Sequence, residues 1–212
     1  PSKYMGDTDR IEYNTFVKKV GAGHDISVMT LNYTDTLEKL LSLGSATDRR
    51  IDSNNYFRQV IHVHGRLNDS IIIGIDNEEQ IANKHFRENE DVTDFLIKIK
   101  SNVAMKYTRH RTCESLISNT HLIILYGVSL GNTDARWWKL IGEQFRKRNN
   151  LCVVQYLYRP NEILPTRKQL LGRIERKQQQ CIMKTFGIKS EEWPEDAAGR
   201  LFFITNSNAF KI

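Results

Sequence analysis

Residues that staple or punctuate a fold are scarce in this 212-residue chain: it has three cysteines and four prolines. Cys113, Cys152 and Cys181 lie far apart with no C-x-x-C pair, so neither a disulfide framework nor a zinc ribbon is implied, and they read as free thiols. No apolar run approaches the roughly 18 to 20 residues of a membrane span, and the opening Pro1-Ser-Lys-Tyr-Met-Gly-Asp7 lacks a signal-peptide core. A cytoplasmic protein with no membrane contact is expected. There is no internal repeat, and low complexity is confined to Gln178 to Gln180. Hydrophobic residues make up 40% of the chain, enough for one substantial core, so a single globular unit over 1–212 is expected. The chain opens on Pro1 rather than Met and reads as a fragment that lacks an amino-terminal strand.

The net charge of +6 is concentrated. From Arg146 to Lys177 nine basic residues (Arg146, Lys147, Arg148, Arg159, Arg167, Lys168, Arg173, Arg176, Lys177) face two acids, Glu162 and Glu175, so the rest of the chain sums to −1. Such a stretch suits nucleic acid, an anionic ligand or an acidic protein partner, and equally a solvated helix face.

Hydrophobic spacing sets out alternating elements. Asp9 to Lys19 suits a short helix, and Gly21-Ala22-Gly23 a turn. A dinucleotide fingerprint would need a strand before those glycines and a helix after them, the reverse of the order found. Ile26 to Leu31 is a strand leading into a helix that reaches Leu43, and a polar loop covers Gly44 to Asn55. Gln59 to Gly65 and Ile71 to Ile75 follow as strands. Asp91 to Asn119 is mostly helical, with Phe95, Leu96, Ile99 and Val103 at core spacing. His121 to Gly127 is continuous and apolar, as a central parallel strand should be. An amphipathic helix from Ala135 to Arg148, a strand from Leu151 to Leu157, a basic helix from Pro165 to about Phe186 and a strand from Leu201 to Thr205 complete the chain. The alternation predicts a three-layer, doubly wound α/β fold with a mainly parallel sheet. Trp137 and Trp138 are core residues or part of an interface.

Three of the strands end in polar clusters: Asn32-Tyr-Thr-Asp35, His64-Gly65, and Gly127-Val-Ser-Leu-Gly-Asn-Thr-Asp134. The carboxyl ends of parallel strands share one edge, where ligands of open α/β sheets collect. Thr34 or Asp35 is a helix cap or a ligand contact; capping alone leaves Asn32 and Tyr33 unexplained. His64 is a general base or a satisfied core histidine. His62, two residues earlier on a strand, shares its face, which raises a His-x-His metal pair, but no third ligand lies near in sequence. Gly127, Ser129, Gly131 and Thr133 offer backbone N–H groups and small side chains suited to phosphate or ribose ahead of a helix, and Asp134 is a helix cap or part of that site.

Taken together, Thr30-Leu-Asn-Tyr-Thr-Asp-Thr-Leu-Glu38, His62-Val-His-Gly65, Ile72-Ile-Gly74 and Tyr126-Gly-Val-Ser-Leu-Gly-Asn-Thr-Asp134 with Trp137-Trp138 strongly resemble the AbiH family of bacterial phage abortive-infection proteins, over about residues 20 to 145. That family in turn looks like a distant branch of the sirtuin-like NAD-binding fold. The resemblance implies antiviral defence and a pocket for NAD or a related nucleotide, held as substrate or ligand, with no metal. Asn32 would hold the nicotinamide ribose or the attacking water and His64 would be the base, and Ser129 with Gly127 and Gly131 would face the adenine-side ribose or phosphate. Thr30, Thr34, Asp35, Gly65 and Asp134 complete the expected binding set. NAD hydrolysis to nicotinamide and ADP-ribose is the activity implied. The alternative is a non-catalytic module that senses a nucleotide and meets nucleic acid or an acidic protein at Arg146 to Lys177, and self-association is open to either. Sirtuin deacetylation is disfavoured, because its four-cysteine zinc module is missing. Two departures stand out: Thr34 occupies the position where a sirtuin-like aspartate would follow Asn32, with Asp35 one residue later, and the amino-terminal Gly-rich strand-turn-helix is absent from this sequence.

Overall fold

The computed structural model describes residues 1–21, 23–41, 51, 54–158 and 169–207, with backbone alone for 169–171. In chain order the elements are α1 (Asp7–Val20), β1 (His24–Thr30), α2 (Thr36–Leu40), β2 (Asn55–His62), α3 (Lys84–Arg87), α4 (Glu90–Leu96), α5 (Lys98–Ala104), α6 (Arg109–Asn119), β3 (Leu122–Leu125), α7 (Ala135–Lys147), β4 (Cys152–Leu157), α8 (Gln169–Phe186) and β5 (Leu201–Thr205). This is an α/β protein whose named strands pair only in parallel, compatible with a Rossmann-like layered arrangement. Most of the polar loop expected from Gly44, the end of the helix expected at Leu43, Ala22, and the helix start expected at Pro165 lie outside the described residues.

Two compact units make up the chain. One takes in Pro1–Gly21, Ile117–Gly131 and Ala135–Ile212. Its sheet runs β3-β4-β5, with Leu122 opposite Cys152 and Val153 opposite Leu201. β4 is the centre, so Cys152, Val153, Val154 and Gln155 are all buried. The strand expected to be central, His121 to Gly127, is the four-residue β3 at the end of this sheet, and its Ile124 is 47% exposed. An apolar run reports burial propensity, whereas the number of paired neighbours fixes which strand is central.

α1 places Tyr13 and Phe16 in a core with Met5, Cys152, Val154, Phe202 and Ile204, the Tyr13 ring meeting Phe202 edge-on. Trp137, Trp138, Ile141, Gly142 and Phe145 form the buried stripe of α7, which settles the tryptophans as core, and Trp138 Nε1 donates to the Gly131 carbonyl at 3.0 Å. α7 packs on α8 so closely at Gly142 that a Cβ there would overlap the Phe186 carbonyl oxygen. Arg200, 5% exposed, donates to the carbonyls of Phe145, Arg148 and Leu151 and to Asp196. It gathers the end of α7 and the entry to β4 on one guanidinium.

The second unit takes in Ala22–Leu116 and Asn132–Asp134. β1 pairs with β2 from His24 opposite Asn55 to Thr30 opposite His62, with an irregularity between Ile26 and Ser27. β2 therefore starts at Asn55, ahead of the expected Gln59. Ile71 to Ile75 is not a paired strand but chain joined by one parallel bridge from Ile75 to Ile97. Asp91 to Asn119 is three helices, and the same bridge explains the first of the two breaks, at Ile97. Ile75 N–H donates to the Leu96 carbonyl and Lys98 N–H donates to the Ile75 carbonyl, so Ile97 leaves helical geometry with ψ 114. The break resets the helical phase. Ile97, Lys98, Ser101 and Asn102 are buried, while Phe95 and Val103, expected in the core, are exposed at 74% and 61%. Among the described residues no helix is long and apolar enough to cross a membrane.

Candidate functional site

Within the second unit, paired β1 and β2 end side by side at Thr30 and His62, so the loops that follow start from neighbouring points. Thr30 Oγ1 accepts the Asn32 N–H at 3.1 Å, which turns the chain directly after the strand. The Tyr33 carbonyl accepts the Leu67 N–H at 2.9 Å, tying this loop to the one beyond His64. Thr34 and Thr36 share a hydroxyl contact at 3.0 Å. Asp35 stands at the start of α2 but its side chain makes no capping bond; it pairs with Lys39 at 3.0 Å, and that hydrogen bond holds its carboxyl below the ordinary range.

The two histidines have different surroundings. His62 Nδ1 lies 2.9 Å from the Asn32 carbonyl oxygen and Nε2 lies 2.7 Å from Glu38 Oε1, while Arg66 reaches Glu38 at 2.9 Å. Burial pushes the Glu38 carboxyl upward, but the His62 bond and the charges of His62 and Arg66 outweigh it and leave the group below its usual value. Glu38 is thus a carboxylate, and His62, with an oxygen within hydrogen-bond distance of each ring nitrogen, clasps the β1–α2 loop onto β2.

His64, two residues past the end of β2 at His62, is 5% exposed. Its Nε2 lies 2.7 Å from Asp134 Oδ1, and its buried Nδ1 has no protein hydrogen-bond partner. The Tyr33 ring stands 6.3 Å away. Asp134 Oδ1 also receives Lys98 Nζ at 2.9 Å, and Nζ donates to the Thr133 carbonyl at 2.6 Å. Burial raises the Asp134 carboxyl, but hydrogen bonds from His64 and Lys98 prevail and bring it down to about 2. Gly65 follows with φ +83, where a Cβ would overlap the Ser70 carbonyl oxygen and stand 2.8 Å from Arg109 Nη1. Arg109 donates to Ser70 and stacks on Tyr107 at 4.3 Å.

A family model described as "Bacteriophage abortive infection AbiH" matches residues 5–156. The chain belongs to the AbiH family. An antiphage role in abortive infection comes with that membership. No curated protein and no solved structure matches the chain.

In this AbiH chain Thr30, Asn32, Thr34, Asp35, His64, Gly65 and Asp134 all fall in the second unit, where His64 and Asp134 meet directly. Gly127, Ser129 and Gly131 belong to the first unit. There Gly127 takes φ +63, Leu130 takes φ +52, Ser129 is exposed, and the Gly131 carbonyl is held by Trp138. Asp134, expected as a cap of α7, has its carboxylate bound by His64 and Lys98. His62 and His64 are each turned to a separate carboxylate, and among the described residues no three His, Cys, Asp or Glu side chains gather as a metal site. Lys98, Glu38 and Arg109 were not legible as site residues. Lys98 looks like one more lysine in a basic helical turn, and only the bridge that breaks the helix at Ile97 turns it inward.

Proposed function

We propose that this AbiH chain is an antiphage effector that hydrolyses NAD to nicotinamide and ADP-ribose, with His64 as base and Asn32 as the contact to the ribose or the attacking water. The observation that carries the reading is the buried His64 Nδ1 without a protein partner, in a histidine whose other nitrogen is held by Asp134. A buried polar atom is ordinarily satisfied, and a ligand hydroxyl or water is the natural partner for this one. Asn32 fits its role, because its carbonyl is engaged by His62 while the residue remains exposed at the strand end. In the reaction the C–N bond to nicotinamide breaks with its electron pair leaving on the nicotinamide nitrogen, a C–O bond forms to water, and the released proton passes to His64. The Asp134 carboxylate is too fully engaged to act as a nucleophile.

The test is nicotinamide release from NAD by the full chain, with and without phage infection of producing cells, beside His64→Ala and Asn32→Ala. Loss of release in both variants, with folding retained, is expected. Unchanged protection from phage in His64→Ala together with no nicotinamide release from the unaltered chain would overturn the reading. A second reading, in which the pocket senses a nucleotide and a partner binds the basic region, is favoured by the exposure of Arg173, Arg176 and Lys177 on α8. Arg146, Lys147 and Arg148 support it less, since they engage Glu192, Glu143 and the Ser118 carbonyl. Arg159, Arg167 and Lys168 lie outside the described residues. Nucleic-acid binding by phosphate contacts would weaken steeply with salt, and insensitivity to salt would exclude it.

A further inference from the structure

A neutral imidazole has one proton to divide between two nitrogens, so the partner of one nitrogen sets the role of the other. His64 Nε2 stands 2.7 Å from Asp134 Oδ1, and a carboxylate can only accept. Nε2 therefore carries the proton, and the lone pair lies on Nδ1, the atom buried without a protein partner. Lys98 adds a second step. It is 8% exposed, unusual for a side chain that normally keeps its head in water, and its Nζ shares Oδ1 with His64 while donating to the Thr133 carbonyl. A carboxylate facing a histidine alone draws a second proton onto the ring, whereas one neutralised by an ammonium orients the ring without that pull.

We propose that Asp134 and Lys98 are a paired positioning device for His64: Asp134 fixes the Nε2–H form and Lys98 cancels the carboxylate charge, so that Nδ1 is presented as the proton acceptor of the site. The proposal rests on His64 being the base, and neither residue touches substrate. Tyr33, whose ring lies 6.3 Å from His64, has its phenol pushed up by burial and by the Asp134 charge, so it adds no charge near neutral pH, and Arg109 beside Gly65 is engaged by Ser70. Glu38 and Arg66 are committed to the His62 clasp. Residues 64, 98 and 134 come from the β2 end, the first turn of α5 and the turn Asn132–Asp134, so three separate parts of the unit meet at one oxygen.

The test uses the full chain labelled with ¹⁵N at its histidine rings, and compares the unaltered protein with Asp134→Ala and Lys98→Met by NMR and by nicotinamide release. The unaltered His64 is expected to show the Nε2–H signature. Asp134→Ala should give a mixture of tautomers and lower kcat by roughly 10²- to 10⁴-fold with KM changed little. Lys98→Met keeps the Asp134 bond and should move the ring toward the doubly protonated signature, again lowering kcat. A protein whose Nδ1 carries the proton, or variants that leave the ring signature unchanged, would overturn the proposal. Should Asp134→Ala fail to fold, Lys98→Met carries the test. If the unaltered chain releases no nicotinamide while the ring signatures behave as expected, the NAD reading fails and the positioning device stands.

Discussion

Alanine at Gly65 and alanine at Gly127 impose the same backbone demand in different surroundings. Both glycines hold positive φ, +83 and +63, a region that costs an L-residue about 1 to 2 kcal/mol, offset by about 0.4 to 1 kcal/mol of reduced freedom in the unfolded chain. At Gly127 no atom lies within 4 Å of the added Cβ, so the net cost should stay near ~1 kcal/mol. At Gly65 the Cβ overlaps the Ser70 carbonyl, which is backbone and cannot swing aside. Moving it disturbs the Arg66–Asp69 bonds, the Ile72 N–H to His64 carbonyl bond at 2.8 Å and the Arg109 contact to Ser70. Two or three such bonds at ~1 kcal/mol each bring Gly65→Ala to about 3 to 4 kcal/mol. With a urea dependence of about 2 kcal/mol per molar, the midpoint should fall by roughly 1.5 M for Gly65→Ala and by at most ~0.5 M for Gly127→Ala. Equal shifts in the two variants would refute the reasoning, because only the overlap distinguishes them.

Arg200→Met should cost about 3 to 5 kcal/mol, since it strands the buried carbonyls of Phe145, Arg148 and Leu151 together, and Arg200→Lys should recover only part of that in the same urea titration. Asp134 is held at about 2 in the folded chain, below its ordinary 3.8, so its contribution to stability is complete above about pH 4 and lost as pH falls toward 2. Asp134→Asn should therefore lower stability at pH 7 and flatten the acid limb of a stability–pH curve; an unchanged limb would contradict the assignment. Thiol titration of the native protein should find Cys181, which is exposed, reacting first, because burial pushes the Cys113 and Cys152 thiols up to about 12; fast reaction of all three would refute that burial.

Sequence reading located the fold's elements better than their neighbours. The alternation of strands and helices needs only local periodicity, so β1, β2, β4, β5 and the helices α1 and α7 were all anticipated near their observed places. Which strand is central is a pairing property, and the apolar run at β3 carried no information about it. Asp91 to Asn119 is mostly helical as expected, but its interruption at Ile97 has a related cause: Ile75, some twenty residues earlier, enforces it through two backbone hydrogen bonds that no helical pattern records.

The histidine pair shows the same division at the level of the site. Period-two alternation would put His62 and His64 on one face and invites a shared metal, yet β2 ends at His62 and Gly65 turns the chain with a positive φ. His64 therefore lies outside the strand whose alternation would pair it with His62. Each ring then takes the carboxylate its own position offers: His62 has Glu38, in the first turn of α2, and His64 has Asp134, 70 residues on. Glu38 is engaged by both His62 and Arg66, so His62 is locked between acceptors on both nitrogens, whereas His64 keeps one nitrogen buried and unmet. The asymmetry follows from where the strand stops, and it leaves His64 rather than His62 with a buried ring nitrogen that no protein group meets.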